Sequence, residues 1–129
     1  MKIADILTES ANYEEGDCPI FAIALHKLSG LPLMALVEYD EESQSEVLIH
    51  AYVRQDARWC IDSSGAVDIP WMLEKYPNNG DAYEVPLTEK ELLKLGYGNN
   101  MAACPTLQQV LPDAKQVLAD EGILNYQNT

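Results

Sequence analysis

The chain has 129 residues, 47% of them hydrophobic and 22% charged, the make-up of one globular domain with its own core and not of a disordered chain. Its formal net charge is −13 at pH 7, with a pI near 4.2. Such a field repels phosphate backbones, which argues against direct nucleic-acid binding, and it attracts basic proteins or peptides as substrates or partners. No apolar run is long enough for a membrane span, and Asp5 interrupts the stretch where a signal peptide needs unbroken apolar residues, so a soluble cytoplasmic protein without membrane contact is expected.

In chain order, residues 2–9 read as a short helix with Ile3, Ile6 and Leu7 on one side. Gly16 breaks it. Asp17 or Cys18 can cap the next helix, with Pro19 in the first turn, where its missing N–H costs nothing. Phe21, Ala22, Leu25 and Leu28 recur at helical spacing to about Ser29, and Gly30 closes the helix. Leu33 to Tyr39 reads as a strand, followed by an acidic turn to Ser45. Val47 to Val53 alternates, with Val47, Ile49, Ala51 and Val53 on one face and Leu48, His50 and Tyr52 on the other. Arg58 to Asp62 reads as a partner strand, and Ser63-Ser64-Gly65 as a turn.

Residues 68–76 follow as a helix capped by Asp68, with Pro70 in its first turn. Ala82 to Pro86 is a strand. Thr88 caps a helix over 89–95, with Glu91 completing a capping box. Residues 96–105 read as a loop, and 106–119 as a last helix ending near Gly122. The class is α+β: a single small domain over residues 1–129, with the cysteine-bearing helix packed on a short antiparallel sheet and further helices towards the C-terminus.

Burial sets the expected register of the central hairpin. An odd loop pairs Val53 with Trp59 and Ala51 with Ile61, keeping the apolar side chains on one face; an even loop would turn Trp59 and Ile61 to the polar side. The odd register then sets Tyr52 opposite Cys60 and His50 opposite Asp62, with the last two Cβ atoms roughly 5 Å apart. A histidine held by a carboxylate is half of a nucleophilic triad, since the carboxylate fixes the tautomer and stabilises the imidazolium.

Cys18 is the candidate for the other half. At a helix start the unsatisfied amides and the helix dipole stabilise a thiolate and can serve as an oxyanion hole. Asn12, six residues earlier, could add a second oxyanion donor. His26 lies two helical turns beyond Cys18, too far to act as its base. Cys60 shares the face of His50 and Asp62; it could serve as a resolving thiol, but a packing role is the expectation. The cysteines Cys18, Cys60 and Cys104 form no CxxC pair, and no P-loop, GxGxxG or HExxH motif is present. The reading calls for no metal and no cofactor.

The runs Gly16-Asp17-Cys18-Pro19-Ile20-Phe21-Ala22, His50-Ala51-Tyr52-Val53-Arg54 and Trp59-Cys60-Ile61-Asp62 resemble the core of the papain-like and transglutaminase-like superfamily, in which a Cys-bearing helix packs on an antiparallel sheet that supplies His and then Asp. The chain also resembles small bacterial and phage proteins with a GDC…H.aVR…D pattern. The resemblance covers about residues 12–65. It implies Cys18 as nucleophile, His50 as general base and acid, and Asp62 as its orienter. Papain-like enzymes usually carry Gln six residues before the Cys; Asn12 stands there, one methylene shorter. The implied activity is acyl transfer at an amide, isopeptide or thioester, as a hydrolase, deamidase or transferase.

A second function class remains open. Glu38, Asp40, Glu41, Glu42 and Glu46 crowd one short stretch, while Lys2 and Lys27 are the only Lys or Arg among the first fifty residues. A catalytically silent protein could use those acids to mimic phosphates and block a basic nucleic-acid-binding or defence protein, in the manner of a phage inhibitor. A related possibility is an accessory subunit that keeps the fold and works by protein contact.

Overall fold

The computed structural model describes residues 18–75, 82–97 and 105–123. The expected helix over 2–9, the cap at Asp17, Asn12 and Cys104 lie outside them. The elements run α1 (Cys18–Ser29), β1 (Leu33–Asp40), β2 (Ser45–Arg54), β3 (Trp59–Asp62), β4 (Gly65–Asp68), α2 (Ile69–Lys75), β5 (Tyr83–Pro86), α3 (Glu89–Tyr97) and α4 (Leu107–Asp120).

Helix α1 is buried on every side from Ile20 to Leu25, so it is an interior helix and not the one-faced helix that its spacing suggested. It ends as its sequence requires. Gly30 takes φ +79°, a conformation that costs a residue without Cβ little, and its N–H donates to the His26 carbonyl at 2.8 Å. Ser29 Oγ donates to the Leu25 carbonyl at 2.6 Å and accepts from the Leu31 N–H at 3.0 Å. His26 is spent on the same terminus, with Nδ1 donating to the Leu31 carbonyl at 2.7 Å.

The five strands form one antiparallel sheet in the order β4-β3-β2-β1-β5. The β1–β2 hairpin carries an irregularity that the sequence did not announce: Leu36 pairs with His50 but Val37 pairs with Leu48, so one extra residue of β2 bulges out. The bulge reverses the expected alternation beyond it. Leu48 joins Ala51 and Val53 on the α1 side, and Ile49 turns to the other face.

The β2–β3 register also differs from the expected one. Val53 pairs with Ile61 and Arg54 with Cys60, two residues from the expected pairing of Val53 with Trp59. The cause is Asp56, whose Oδ1 accepts the backbone N–H groups of Arg58 and Trp59, each at 2.8 Å. This turn lets Gln55 donate to the Trp59 carbonyl and moves the loop to residues 56–58. A shift of two preserves faces, so Ile61 is still buried beneath α1 while Trp59 stays 39% exposed.

Strand β4 was not expected at all. Its first residue, Gly65, has φ +109° and turns the chain straight back from Asp62, which it pairs with.

The sheet separates two apolar layers. On one face Ala35, Val37, Ala51, Val53 and Ile61 pack against α1, with Leu92 of α3 and Val110, Ala114 and Leu118 of α4 in the same cluster. On the other face Leu36, Tyr52, Cys60 and Val67 pack with Ile69 and Met72 of α2. Capping fixes where the helices begin. The Trp71 N–H approaches Asp68 Oδ1 at 3.4 Å. Thr88 and Glu91 exchange side-chain and backbone bonds at 2.9 and 3.1 Å, and Thr106 and Gln109 do the same at 2.7 and 3.2 Å. Among the described residues no helix is long and apolar enough to cross a membrane.

Candidate functional site

Among the described residues, His50 and Asp62 are the two buried polar or charged residues in an otherwise apolar interior, 4% and 8% exposed. The alternation of β2 and β3 puts both on the face opposite α1, because Ala51, Val53 and Ile61 take the helix side. His50 Nε2 lies 2.8 Å from Asp62 Oδ2. Asp62 Oδ1 is occupied as well, accepting the Ser64 N–H at 2.8 Å and the Ser64 hydroxyl at 2.6 Å.

Burial by itself would raise the Asp62 carboxyl. The hydrogen bonds from His50 and Ser64 outweigh it and hold the carboxyl below the usual carboxylate range. An ionised carboxylate only accepts, so His50 carries a proton on Nε2, and in the neutral imidazole Nδ1 is then the accepting nitrogen. This is the division of labour that acid–base catalysis by an imidazole needs.

Cys18 is the first residue of α1. The start of that helix is wedged against the outer part of β2: a Cβ on Gly96 of α3 would lie 2.6 Å from Pro19 Cγ and 3.3 Å from Leu48 Cδ2. Only glycine lets the three segments approach so closely. The helix end that carries Cys18 therefore sits beside the bulge, immediately before His50 in β2. The flank of α1 lies on the other side of the sheet from the His50–Asp62 pair.

Cys60 is a buried free thiol 3.8 Å from Met72 Sδ. Burial first, then the carboxylates of Asp62 and Glu84, push its thiol up to about 12, so it packs as a small apolar side chain.

The acidic stretch occupies the end of the β1–β2 hairpin, and it does not form one face. Tyr39 pairs with Glu46, which turns Glu46 away from Glu38 and Asp40. Asp40 accepts the Ser43 N–H at 3.3 Å, and Glu46 accepts the Tyr83 hydroxyl. Glu41, Glu42 and Glu46 are exposed. Among the described residues no three His, Cys, Asp or Glu side chains are grouped so as to hold a metal ion.

Three neighbours of the pair escaped the sequence reading. Tyr52 donates to Glu84 Oε2 at 2.5 Å, and Arg54 Nη2 donates to Glu84 Oε1 at 2.7 Å. Burial, then the bond to Glu84, drives the Tyr52 phenol far above its ordinary range, so it stays neutral. The available signal was a lone Glu inside the short strand Tyr-Glu-Val-Pro. Its meaning depends on β5 lying next to β1, which a strand separated by so much chain does not disclose.

Comparison with protein-family models, with curated proteins and with solved structures found no match.

Proposed function

We propose that the protein is a cysteine-nucleophile acyl-transfer enzyme of papain-like or transglutaminase-like organisation, with Cys18 as nucleophile, His50 as general base and acid, and Asp62 as orienter. The observation that carries this reading is the buried His50 Nε2–Asp62 Oδ2 bond of 2.8 Å, on a carboxylate whose other oxygen is already taken by Ser64. Further support comes from Cys18 at the start of α1 and from the wedge of Pro19 and Leu48 about Gly96.

In the reaction His50 Nδ1 takes the Cys18 thiol proton, and Sγ attacks the carbonyl carbon of an amide or isopeptide. The oxyanion is met by backbone N–H groups in the first turn of α1, with Asn12 as a second donor. The tetrahedral species collapses as the C–N bond breaks, and Nδ1 returns the proton to the departing amine. Water or an acceptor amine then attacks the thioester, giving its proton to Nδ1, and Cys18 leaves as the thiol once that proton is handed back. Asp62 stabilises the imidazolium in both halves. The thiol has to reach Nδ1 from the end of α1, beside the bulge, because the helix flank lies across the sheet. The charge of −13 steers basic protein or peptide substrates to the site.

The test is the pH dependence of iodoacetamide alkylation at each cysteine of the folded protein, read by mass spectrometry. Cys18 should react fast, with an apparent pKa well below the ~8.5 of a free thiol, and His50→Ala should remove that advantage. If Cys18 behaves as an ordinary thiol, or keeps its reactivity in His50→Ala, the reading fails.

A further inference from the structure

A row of residues crosses the face of the sheet on which His50 lies. Leu36 of β1 pairs with His50 on one side and with Glu84 of β5 on the other, which sets the two polar residues two strand spacings apart, roughly 10 Å between backbones. Tyr52, next along β2 on the same face, spans that gap. Its ring centroid is 5.7 Å from that of the imidazole, with the planes inclined by 35°, while its phenol donates to Glu84 at 2.5 Å. Arg54, next again on that face, holds Glu84 through Nη2 at 2.7 Å and the Asp56 carbonyl through Nη1 at 2.8 Å.

Packing alone does not call for this chain of contacts. A phenylalanine at 52 would fill the space among Leu36, Cys60 and Met72 without a phenol to satisfy, and no half-buried carboxylate would then need an arginine. A role at the imidazole accounts for it. The bond to Asp62 holds Nε2, the ring torsion of a histidine is otherwise broad, and an aromatic ring fixed beside the imidazole adds a restraint on its turning.

We infer that Tyr52 is a positioning residue for His50, its phenol tied down by Glu84 and Arg54 so that its ring holds the imidazole on Asp62 and keeps Nδ1 aimed one way. What Nδ1 is aimed at rests on the acyl-transfer reading; the restraint itself does not. Among the described residues, the groups that face His50 include Asp62 from β3, Tyr52 from its own strand and, through Tyr52, Glu84 from β5.

The test is 15N NMR of the His50 ring in the full chain at pH 8, reading the tautomer and the exchange of the Nε2 proton with water. The parent protein should show the Nε2–H form alone. Tyr52→Phe keeps the ring and cuts the tie, and Glu84→Ala removes the acceptor. Both should admit the Nδ1–H form and speed proton exchange by about tenfold, the scale of one ordinary hydrogen bond. Glu84→Gln, whose amide oxygen still accepts from the phenol, should restore the parent behaviour. Met72→Ala is the control for general loosening, since it opens the same apolar layer without touching this chain of bonds.

The inference is overturned if Tyr52→Phe and Glu84→Ala leave the ring signals unchanged, if Glu84→Gln fails to rescue, or if Met72→Ala shifts them equally. An ordinary thiol at Cys18 would sink the acyl-transfer reading and leave these signals where they are.

Discussion

His50 and Asp62 stand on different rungs of the β2–β3 ladder, yet their side chains close to 2.8 Å. The pairing of Val53 with Ile61 and Arg54 with Cys60 continues to place Tyr52, not His50, straight across from Asp62. The bond is therefore diagonal, over a gap that a long planar side chain can span. The diagonal leaves room beside the imidazole for the Tyr52 ring, so the carboxylate and the aromatic ring approach His50 from different directions.

Asp62 should make stability depend on pH in the acid range. Its carboxyl is held below the usual range when folded, so its contribution is complete above the unfolded value of about 3.9 and lost as pH falls through the lower folded value. Urea unfolding between pH 6 and pH 2 should show this slope. Asp62→Asn should flatten it. A slope that survives in Asp62→Asn would assign it to other carboxylates.

Cys60 should be silent to alkylation at pH 8 in the folded protein and reactive once unfolded, given a thiol pushed up to about 12 with no exposure. Cys60→Ser should cost about 1–3 kcal/mol, because the hydroxyl would stand beside Met72 Sδ in an apolar layer without a good partner. Chemical denaturation checks the cost, and intact mass after timed alkylation checks the silence.

Gly96→Ala tests the close approach at the head of α1. Alanine favours helix over glycine by about 1 kcal/mol, but its Cβ would fall 2.6 Å from Pro19 Cγ, and overpacking of this kind costs about 1–3 kcal/mol. The net effect should be destabilising, with a measurable change in Cys18 alkylation as the helix end shifts. A stabilised protein with unaltered Cys18 would show that the wedge is loose.

Thr106→Ala removes half of the capping box of α4 and should cost about 1 kcal/mol. The loss should appear as faster amide exchange in the first turn of α4, far from the imidazole signals of His50.

Chemistry that acts within a few residues was legible in the sequence. Gly30, the Thr88–Glu91 pair and Pro70 behind Asp68 each set an element end through a local bond or a fixed torsion, and the structure has those ends. The separation of faces was legible too, since Ala51, Val53 and Ile61 could share a side in either of two registers. What escaped depended on one side chain or on distant chain. Asp56 chose between registers two residues apart, and nothing in hydrophobic alternation distinguishes them. Strand β4 is too short to alternate visibly, and Gly65 reads equally as the end of a turn. Of the candidate site, the partnership of His50 with Asp62 could be reasoned out, although along a straight rung and not a diagonal. Glu84 could not, because its neighbourhood exists only after β5 has docked on β1.

The extra residue of β2 has a consequence for how this hairpin tolerates insertion and deletion. The two halves of the strand are out of phase, so that Leu48 and Ala51, separated by an odd number of positions, both serve the α1 layer. Removing Ile49 would bring Leu48 next to His50 and restore an unbroken two-residue period, with Leu48 still on the α1 side and His50 still on the other. Removing a residue from either regular half instead would roll part of the strand over and exchange its two faces. A one-codon loss at the bulge should thus leave the frame of the sheet intact, and the turn at residues 41–44, which lies outside both halves, should accept added length with little effect.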